Sequence, residues 1–251
     1  MRNFQREMWE NFRLNRNQVD ARDRFRQFRG IVRVYSGQPV EKIEYTVSHK
    51  AKLVYVLNAK AACSSIKRVL AAKEQVVNTS EFVRVHKDPR MLSMMCRQVP
   101  LGATEYFGFS FVRNPYQRLV SAYLNKFKKT DLTPENFLYR NYLGGYFSLE
   151  DDFQNYVRKV VLIPNAFAER HFVRQSYWLY EKNTHPLSFV GRMEAINEQF
   201  EGLAQKYGLE SLPHYNKTAS YDWKSFYTEK LKAWVSDYYA EDLACFGYAY
   251  N

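Results

Sequence analysis

The clearest pattern along the chain is an alternation of short apolar runs with helical stripes. Leu53-Val54-Tyr55-Val56-Leu57 is a continuous β-rich run and predicts a buried strand. Small residues follow, Ala59, Ala61, Ala62, Cys63, Ser64 and Ser65, and then Ile66 to Ala72 has helix-forming composition. Phe107-Gly108-Phe109-Ser110-Phe111-Val112 predicts a second buried strand, running into Arg113-Asn114-Pro115-Tyr116. Pro115 suits the first turn of a helix, and Leu119, Val120, Tyr123, Leu124 and Phe127 continue at helical spacing. Phe189-Val190 predicts a third strand entering Gly191-Arg192-Met193-Glu194, followed by a stripe of Ile196, Phe200, Leu203 and Tyr207 that stops near Gly208. Further stripes run through Phe153, Tyr156, Val157, Val160 and Val161, and from Tyr227 to Leu243. This alternation predicts one α/β domain with a central, mainly parallel sheet flanked by helices.

The weaker segments give shorter elements. Residues 1–30 are rich in Arg, Asn and Gln, with Met8, Phe12, Phe25 and Phe28 scattered among them. They read either as an irregular amphipathic helix or as a basic arm for a polyanion. Ile31 to Tyr35 predicts a strand closed by the Ser36-Gly37-Gln38-Pro39 turn. Phe82 to His86 predicts a short strand with His86 at its end, and Met91 to Arg97 a short helix. Thr133-Pro134-Glu135 opens another short helix. Asn165 to Tyr180 carries Glu169, Arg170, His171, Arg174 and Gln175 among aromatic residues. The expected division is a basic extension with edge elements over 1–50 and the main domain over 51–251.

Composition narrows the partners. The 251 residues are 46% hydrophobic, enough for one sizeable core, and the formal charge of +11 favours a polyanionic partner without choosing its kind. Cys63, Cys96 and Cys245 leave no full pairing set and no zinc spacing, so reduced thiols and no metal are expected. The first residues contain no apolar core of the length of a signal peptide or anchor. A soluble, cytoplasmic protein is the expectation.

Two places carry candidate chemistry. Strand, compact turn and helix start around Lys60 make the geometry of an anion site, where backbone N–H groups and the helix dipole face the ligand. Ser64 or Ser65 is expected to cap that helix, and Lys60 adds a mobile positive charge. No glycine is present and the lysine comes first, so this is not a GxxxxGKS loop. An ordinary strand-to-helix turn with a surface lysine would have the same pattern. Arg113 falls at the C-terminal end of the second strand, where open α/β sheets bind ligands, and Ser121 lies further along the following helix. Together the two units suit a ligand with two phosphate-type groups.

At these residues the chain resembles the Golgi-type carbohydrate sulfotransferases and their soluble bacterial relatives. Ala59-Lys60-Ala61-Ala62-Cys63-Ser64-Ser65-Ile66-Lys67-Arg68 resembles their 5'-phosphosulfate loop, with Ala59 where that family usually has proline. Phe111-Val112-Arg113-Asn114-Pro115-Tyr116-Gln117-Arg118-Leu119-Val120-Ser121-Ala122-Tyr123 resembles their 3'-phosphate element, and Phe189 to Glu194 a third family segment. The resemblance implies a P-loop-NTPase-like sulfotransferase fold. It implies 3'-phosphoadenosine-5'-phosphosulfate (PAPS) as donor, PAP as product and no metal. Lys60, Ala61, Ala62, Cys63, Ser64 and Ser65 would hold the 5' end, and Arg113, Ser121 and Arg192 the 3'-phosphate side. Lys60 would also stabilise the leaving oxygen.

A base is then needed for the acceptor hydroxyl. His171 is the first candidate and His86 the second, with His185 and Glu169 behind them. The expected acceptor is a saccharide, in particular an anionic polysaccharide, and no nucleic acid or integral membrane segment is expected. The competing expectations are a sulfotransferase for a small molecule, lipid or protein, a nucleotide or small-molecule kinase, and a non-enzymatic polyanion- or nucleic-acid-binding protein. The missing glycine loop counts against the kinase. Two ordered anion motifs count against the binding protein.

Overall fold

The computed structural model describes residues 1–14, 19–77, 88–213 and 221–250. Its helices and strands in chain order are α1 (Arg2–Leu14), α2 (Ala21–Tyr35), β1 (Tyr45–Ser48), β2 (Leu53–Val56), α3 (Cys63–Lys73), α4 (Pro89–Leu92), β3 (Met95–Cys96), β4 (Phe107–Val112), α5 (Pro115–Lys126), α6 (Phe153–Leu162), β5 (Phe189–Arg192), α7 (Ile196–Tyr207), α8 (Glu229–Tyr238) and α9 (Ala240–Phe246). Short 3-10 turns and a π-helical turn over Tyr177–Lys182 complete them. The chain forms two compact units. A sheet unit comprises Lys42–Asn114 and Gln175–Tyr221, and a helical unit comprises Met1–Glu41, Pro115–Arg174 and Asp222–Asn251.

The sheet unit is built on the strand order β3-β1-β2-β4-β5. β2, β4 and β5 are parallel, whereas β1 runs antiparallel to both β2 and β3. The sheet is therefore mixed, which corrects the mainly parallel sheet expected from the alternation. The cause is the hairpin between β1 and β2. Ser48 pairs with Leu53 across a tight reversal in which Lys52 takes a left-handed φ of 56°. A reversal that short permits only antiparallel pairing.

Every residue of β2 is buried, as a strand covered on both faces requires. Leu53, Tyr55 and Leu57 share one core with Ile66, Val69 and Leu70 of α3, and with Phe200 and Leu203 of α7. Each such side chain contributes about 2 kcal/mol by leaving water. Two glycines mark close approaches. A Cβ at Gly108 would lie 1.9 Å from the Pro186 backbone oxygen, and one at Gly191 would lie 2.3 Å from the Phe111 ring.

In the helical unit, α1 buries Phe4, Met8 and Phe12 at four-residue spacing. α2 starts at Asp20, whose carboxylate accepts from the Asp23 N–H at 2.7 Å, a standard N-cap. The strand expected over Ile31 to Tyr35 is instead the last turn of α2. Ile31 and Val34 continue the buried face begun by Asp23 and Gln27, so the helical period overrides the local β-branched run. Thr133-Pro134-Glu135 forms turns and opens no helix. The stripe from Tyr227 to Leu243 divides into α8 and α9 at Tyr239, which takes φ −100° and ψ 20°. Phe127, Tyr139, Phe147, Tyr156 and Phe172 form a connected cluster of rings at the centre of this unit.

Candidate active site

The loop from β2 to α3 holds its shape without glycine. Lys60 and Ala62 both take left-handed backbone, with φ 70° and 56°. For residues with a Cβ this costs on the order of 1–2 kcal/mol each, and such strain concentrates at functional sites. Ala62 is the N-cap of α3 and offers no side-chain cap, which corrects the expectation that Ser64 or Ser65 would cap. Both serines lie in the first helical turn, and both are half-buried. A left-handed residue followed by right-handed backbone turns successive N–H groups to one side, the concavity that binds anions. Cys63 is half-buried at the same turn. Lys60, Ala61, Ala62, Cys63, Ser64 and Ser65 thus lie together at one helix start.

Beyond β4 the chain is held by side chains from distant segments. Gln175 is fully buried. Its Oε1 accepts from the Arg113 N–H at 2.9 Å, and its Nε2 donates to the Arg113 carbonyl at 2.8 Å. The same Oε1 accepts from Asn58 Nδ2 at 2.9 Å, and Asn58 Nδ2 also reaches the Phe111 carbonyl at 2.9 Å. One amide therefore ties the loop after β2 to the loop after β4. Trp178 Nε1 donates to the Leu57 carbonyl at 2.8 Å, and the Asn114 N–H donates to Glu194 Oε1 at 2.9 Å.

Arg113 Nε is buried and lacks a hydrogen-bond partner among the described residues. An orphaned buried guanidinium N–H is costly, and an anion is one partner that would satisfy it. Val112 pairs in register with Arg192, so Arg113 and Arg192 leave neighbouring strands at the same edge. Lys60 and Arg113 follow the C-terminal ends of β2 and β4, and Arg192 is the last residue of β5, so all three lie at the edge at which such sheets bind ligands.

Ser121 and His171 belong to the helical unit. Ser121 lies on α5 and is buried. His171 Nδ1 lies 2.7 Å from Glu169 Oε1, and the His171 backbone N–H donates to Glu169 Oε2 at 2.9 Å. The Tyr139 hydroxyl donates to the same carboxylate at 3.1 Å. Burial pushes the Glu169 carboxyl up, but the neighbouring His171 outweighs it and holds the group below the usual carboxylate range. An ionised Glu169 orients the imidazole as an Nδ1–H tautomer, which leaves Nε2 as the basic nitrogen. The segment is pinned on either side of the histidine. Arg118 of α5, 1% exposed, donates to the Arg170 carbonyl at 2.7 Å and to the Val173 carbonyl at 2.6 Å.

The other base candidates divide. His185 is buried against Gly108 and its Nε2 bonds the Tyr106 carbonyl at 3.0 Å, a structural role in the sheet unit. His86 lies outside the described residues.

Residues 44–249 match the family model described as sulfotransferase family. The chain belongs to the sulfotransferase family. Among its relatives, Carbohydrate sulfotransferase 12 of Xenopus laevis is 27% identical over 254 residues, covering 80% of this chain and 59% of that protein. Carbohydrate sulfotransferase 14 of Mus musculus is 36% identical over 86 residues, covering 32% of this chain and 23% of that protein. The human Carbohydrate sulfotransferase 14 is 35% identical over the same length. The chain therefore spans less than two thirds of the curated relatives it matches. No solved structure matches it significantly.

Among the described residues no helix is long and apolar enough to cross a membrane, and no cluster of three or more His, Cys, Asp or Glu side chains is arranged to hold a metal ion. Sequence reasoning found the two family loops. It missed Gln175 and Asn58 as the groups that hold them, and Arg118 as the group that holds the segment of His171. Arg118 stood inside the quoted motif, but nothing in the motif distinguishes an arginine facing a ligand from one facing backbone carbonyls.

Proposed function

We propose that this member of the sulfotransferase family moves a sulfuryl group from PAPS to a hydroxyl of a carbohydrate, in particular an acidic glycan, on a P-loop-NTPase-like fold. The observation that carries the reading is the pairing, at one sheet edge, of a strained Lys60–Ala62 loop with an Arg113 Nε that is buried and unpartnered. Both features are unfavourable without an anion and suit a ligand with phosphate groups at two ends. When bound, the donor supplies an activated sulfuryl group joined to a phosphate.

The roles follow from the chemistry of the side chains. The N–H groups at the start of α3 and the hydroxyls of Ser64 and Ser65 bind the 5' end. Arg113, Arg192 and Ser121 bind the 3'-phosphate side, where a guanidinium fork matches phosphate oxygens. Lys60 offers positive charge to the oxygen from which the sulfuryl group departs, so its contribution is largest in the transition state. His171, oriented by Glu169, takes the proton of the acceptor hydroxyl at Nε2. The names of the relatives support a saccharide acceptor, and the +11 charge supports an acidic one.

Calorimetric titration with PAP tests the donor site. Binding of PAP that ATP and ADP do not reproduce, and that R113A abolishes, is the expected result. A wild-type chain that fails to bind PAP would sink the reading. Labelled PAPS offered with desulfated glycans, and with small hydroxyl compounds, reads out the acceptor class.

A further inference from the structure

The donor loops and His171 leave one strongly charged surface unused. α2 carries Arg22, Arg26, Arg29 and Arg33 at spacings of four, three and four residues, which places them along one face of the helix. All four are exposed. The core face is a different one, made by Asp23, Gln27, Ile31 and Val34.

Acid groups do not cancel this charge. Asp23, the carboxylate within the helix, is buried, and it is already held by Arg140 and by Asn141 Nδ2 at 2.7 Å, with Arg26 at 3.3 Å. Among the described residues no carboxylate pairs with Arg22, Arg29 or Arg33. Solvated surface arginines are ordinary, but these adjoin a cavity. A cavity of about 320 Å³ lies against them, with Arg26, Arg29 and Arg33 on one wall and Leu138, Asn141 and Tyr142 on the other. That volume is at the lower end of small-ligand pockets, the size for a ring unit rather than an extended cofactor.

We propose that this arginine face and its cavity bind a carboxylated or sulfated polysaccharide, which the four guanidinium groups follow along the helix while one sugar unit enters the cavity. The inference deepens the carbohydrate reading above and rests on it only for the class of polyanion. Four arginines over eleven residues span about 16 Å, a length that suits a linear polymer better than a single anion. Guanidinium forks match carboxylate and sulfate oxygens in pairs. A mixed wall of Leu138, Asn141 and Tyr142 suits a sugar, which presents both C–H faces and hydroxyls.

A membrane is the competing occupant, because Phe25, Phe28, Val32 and Tyr35 are exposed on a third face of α2. Two of those rings are tied to α1. Trp9 Nε1 donates to the Tyr35 hydroxyl at 2.9 Å, and Phe28 packs on Phe12 with centroids 6.3 Å apart. Side chains so held are less able to insert among acyl chains.

The test uses the full chain and three probes: an unsulfated chondroitin hexasaccharide, phosphatidylserine vesicles and a duplex DNA 20-mer. R29Q/R33Q removes two charges without breaking an ion pair, and K224Q/K230Q removes two charges elsewhere. The expected result is saturable binding of the hexasaccharide that falls tenfold or more in R29Q/R33Q and less than threefold in K224Q/K230Q. PAP affinity should be unchanged in both variants. Equal losses in the two double variants would mean diffuse attraction and overturn the proposal. So would binding to vesicles or DNA that is tighter than to the hexasaccharide and equally sensitive to R29Q/R33Q. If PAP does not bind while the hexasaccharide result holds, the donor reading fails and the saccharide surface stands.

Discussion

Gln175 and Arg113 are joined as a two-bond pair, side-chain amide to backbone peptide: Oε1 takes the Arg113 N–H and Nε2 gives to the Arg113 carbonyl. The pair copies a strand ladder at the point where β4 has ended. It fixes the direction in which the Arg113 side chain leaves the sheet, and through Asn58 it fixes the neighbouring loop as well.

Q175A should therefore weaken the fold and the anion site together. Arg113 loses both backbone partners and Asn58 loses one, all in a buried place. An unfolding loss of roughly 3 kcal/mol is expected, with weaker PAP binding by the fraction that stays folded at low temperature. Urea unfolding and calorimetry measure the two effects. An unchanged urea midpoint would refute the bracing role.

K60A should lower sulfuryl transfer by about 10²–10³-fold while changing PAP affinity less than tenfold, because the charge it supplies matters most as the oxygen leaves. Single-turnover rates beside PAP titrations measure the split. Equal losses in both would assign Lys60 to binding alone.

H171A should cut turnover by about 10²–10⁴-fold with PAP affinity intact, as removal of a general base does. The parallel variant is H86A. Should H86A lose turnover and H171A keep it, the base is His86.

Glu169 gives a pH signature of folding. Its folded pKa lies below the unfolded value of about 4.3, so between the two the unfolded chain binds the proton and the folded chain does not. The stabilisation is present above about pH 4.3 and is lost as pH falls through the lower folded value. Unfolding free energy followed from pH 6 to pH 3 should fall less steeply in E169Q than in the wild type. Parallel curves would show that Glu169 does not contribute.

The two tight glycines should differ in tolerance. In G108A the new methyl meets the Pro186 backbone oxygen and the His185 ring, neither at the end of a flexible side chain. In G191A the three nearest atoms all belong to the Phe111 ring, which can move in part. G108A is expected to cost about 3 kcal/mol or more and G191A about 1–3, read from urea midpoints. The reverse order would contradict the close approach at Gly108.

The parts legible in the sequence were those with dense local signals. β4 coincides with the apolar run from Phe107 to Val112, and Pro115 marks the start of α5. β1 was invisible because four residues, Tyr45 to Ser48, carry no glycine or proline at the following turn. β3 was hidden as well, because Met91 to Arg97 reads as one short helix but holds the end of α4 and then β3, which pairs antiparallel with β1. Without β1 and β3 only the parallel pairs are left, and the sheet looks mainly parallel. The end of α2 was misread because two of its buried positions are Asp23 and Gln27, polar residues that hide the stripe. Around the candidate site, the motifs mark the loops after β2 and β4. Gln175 was not legible, since its partners lie 62 and 117 residues away and two of them are backbone atoms.

Arg118 links two distant stretches of the chain. It lies between Arg113 and Ser121 in one short signature, yet both of its bonds go to carbonyls that flank His171. A substitution at Arg118, five residues after Arg113, therefore acts on the path of the histidine segment. The backbone around His171 thus owes its course to a helix residue more than 50 positions earlier in the chain.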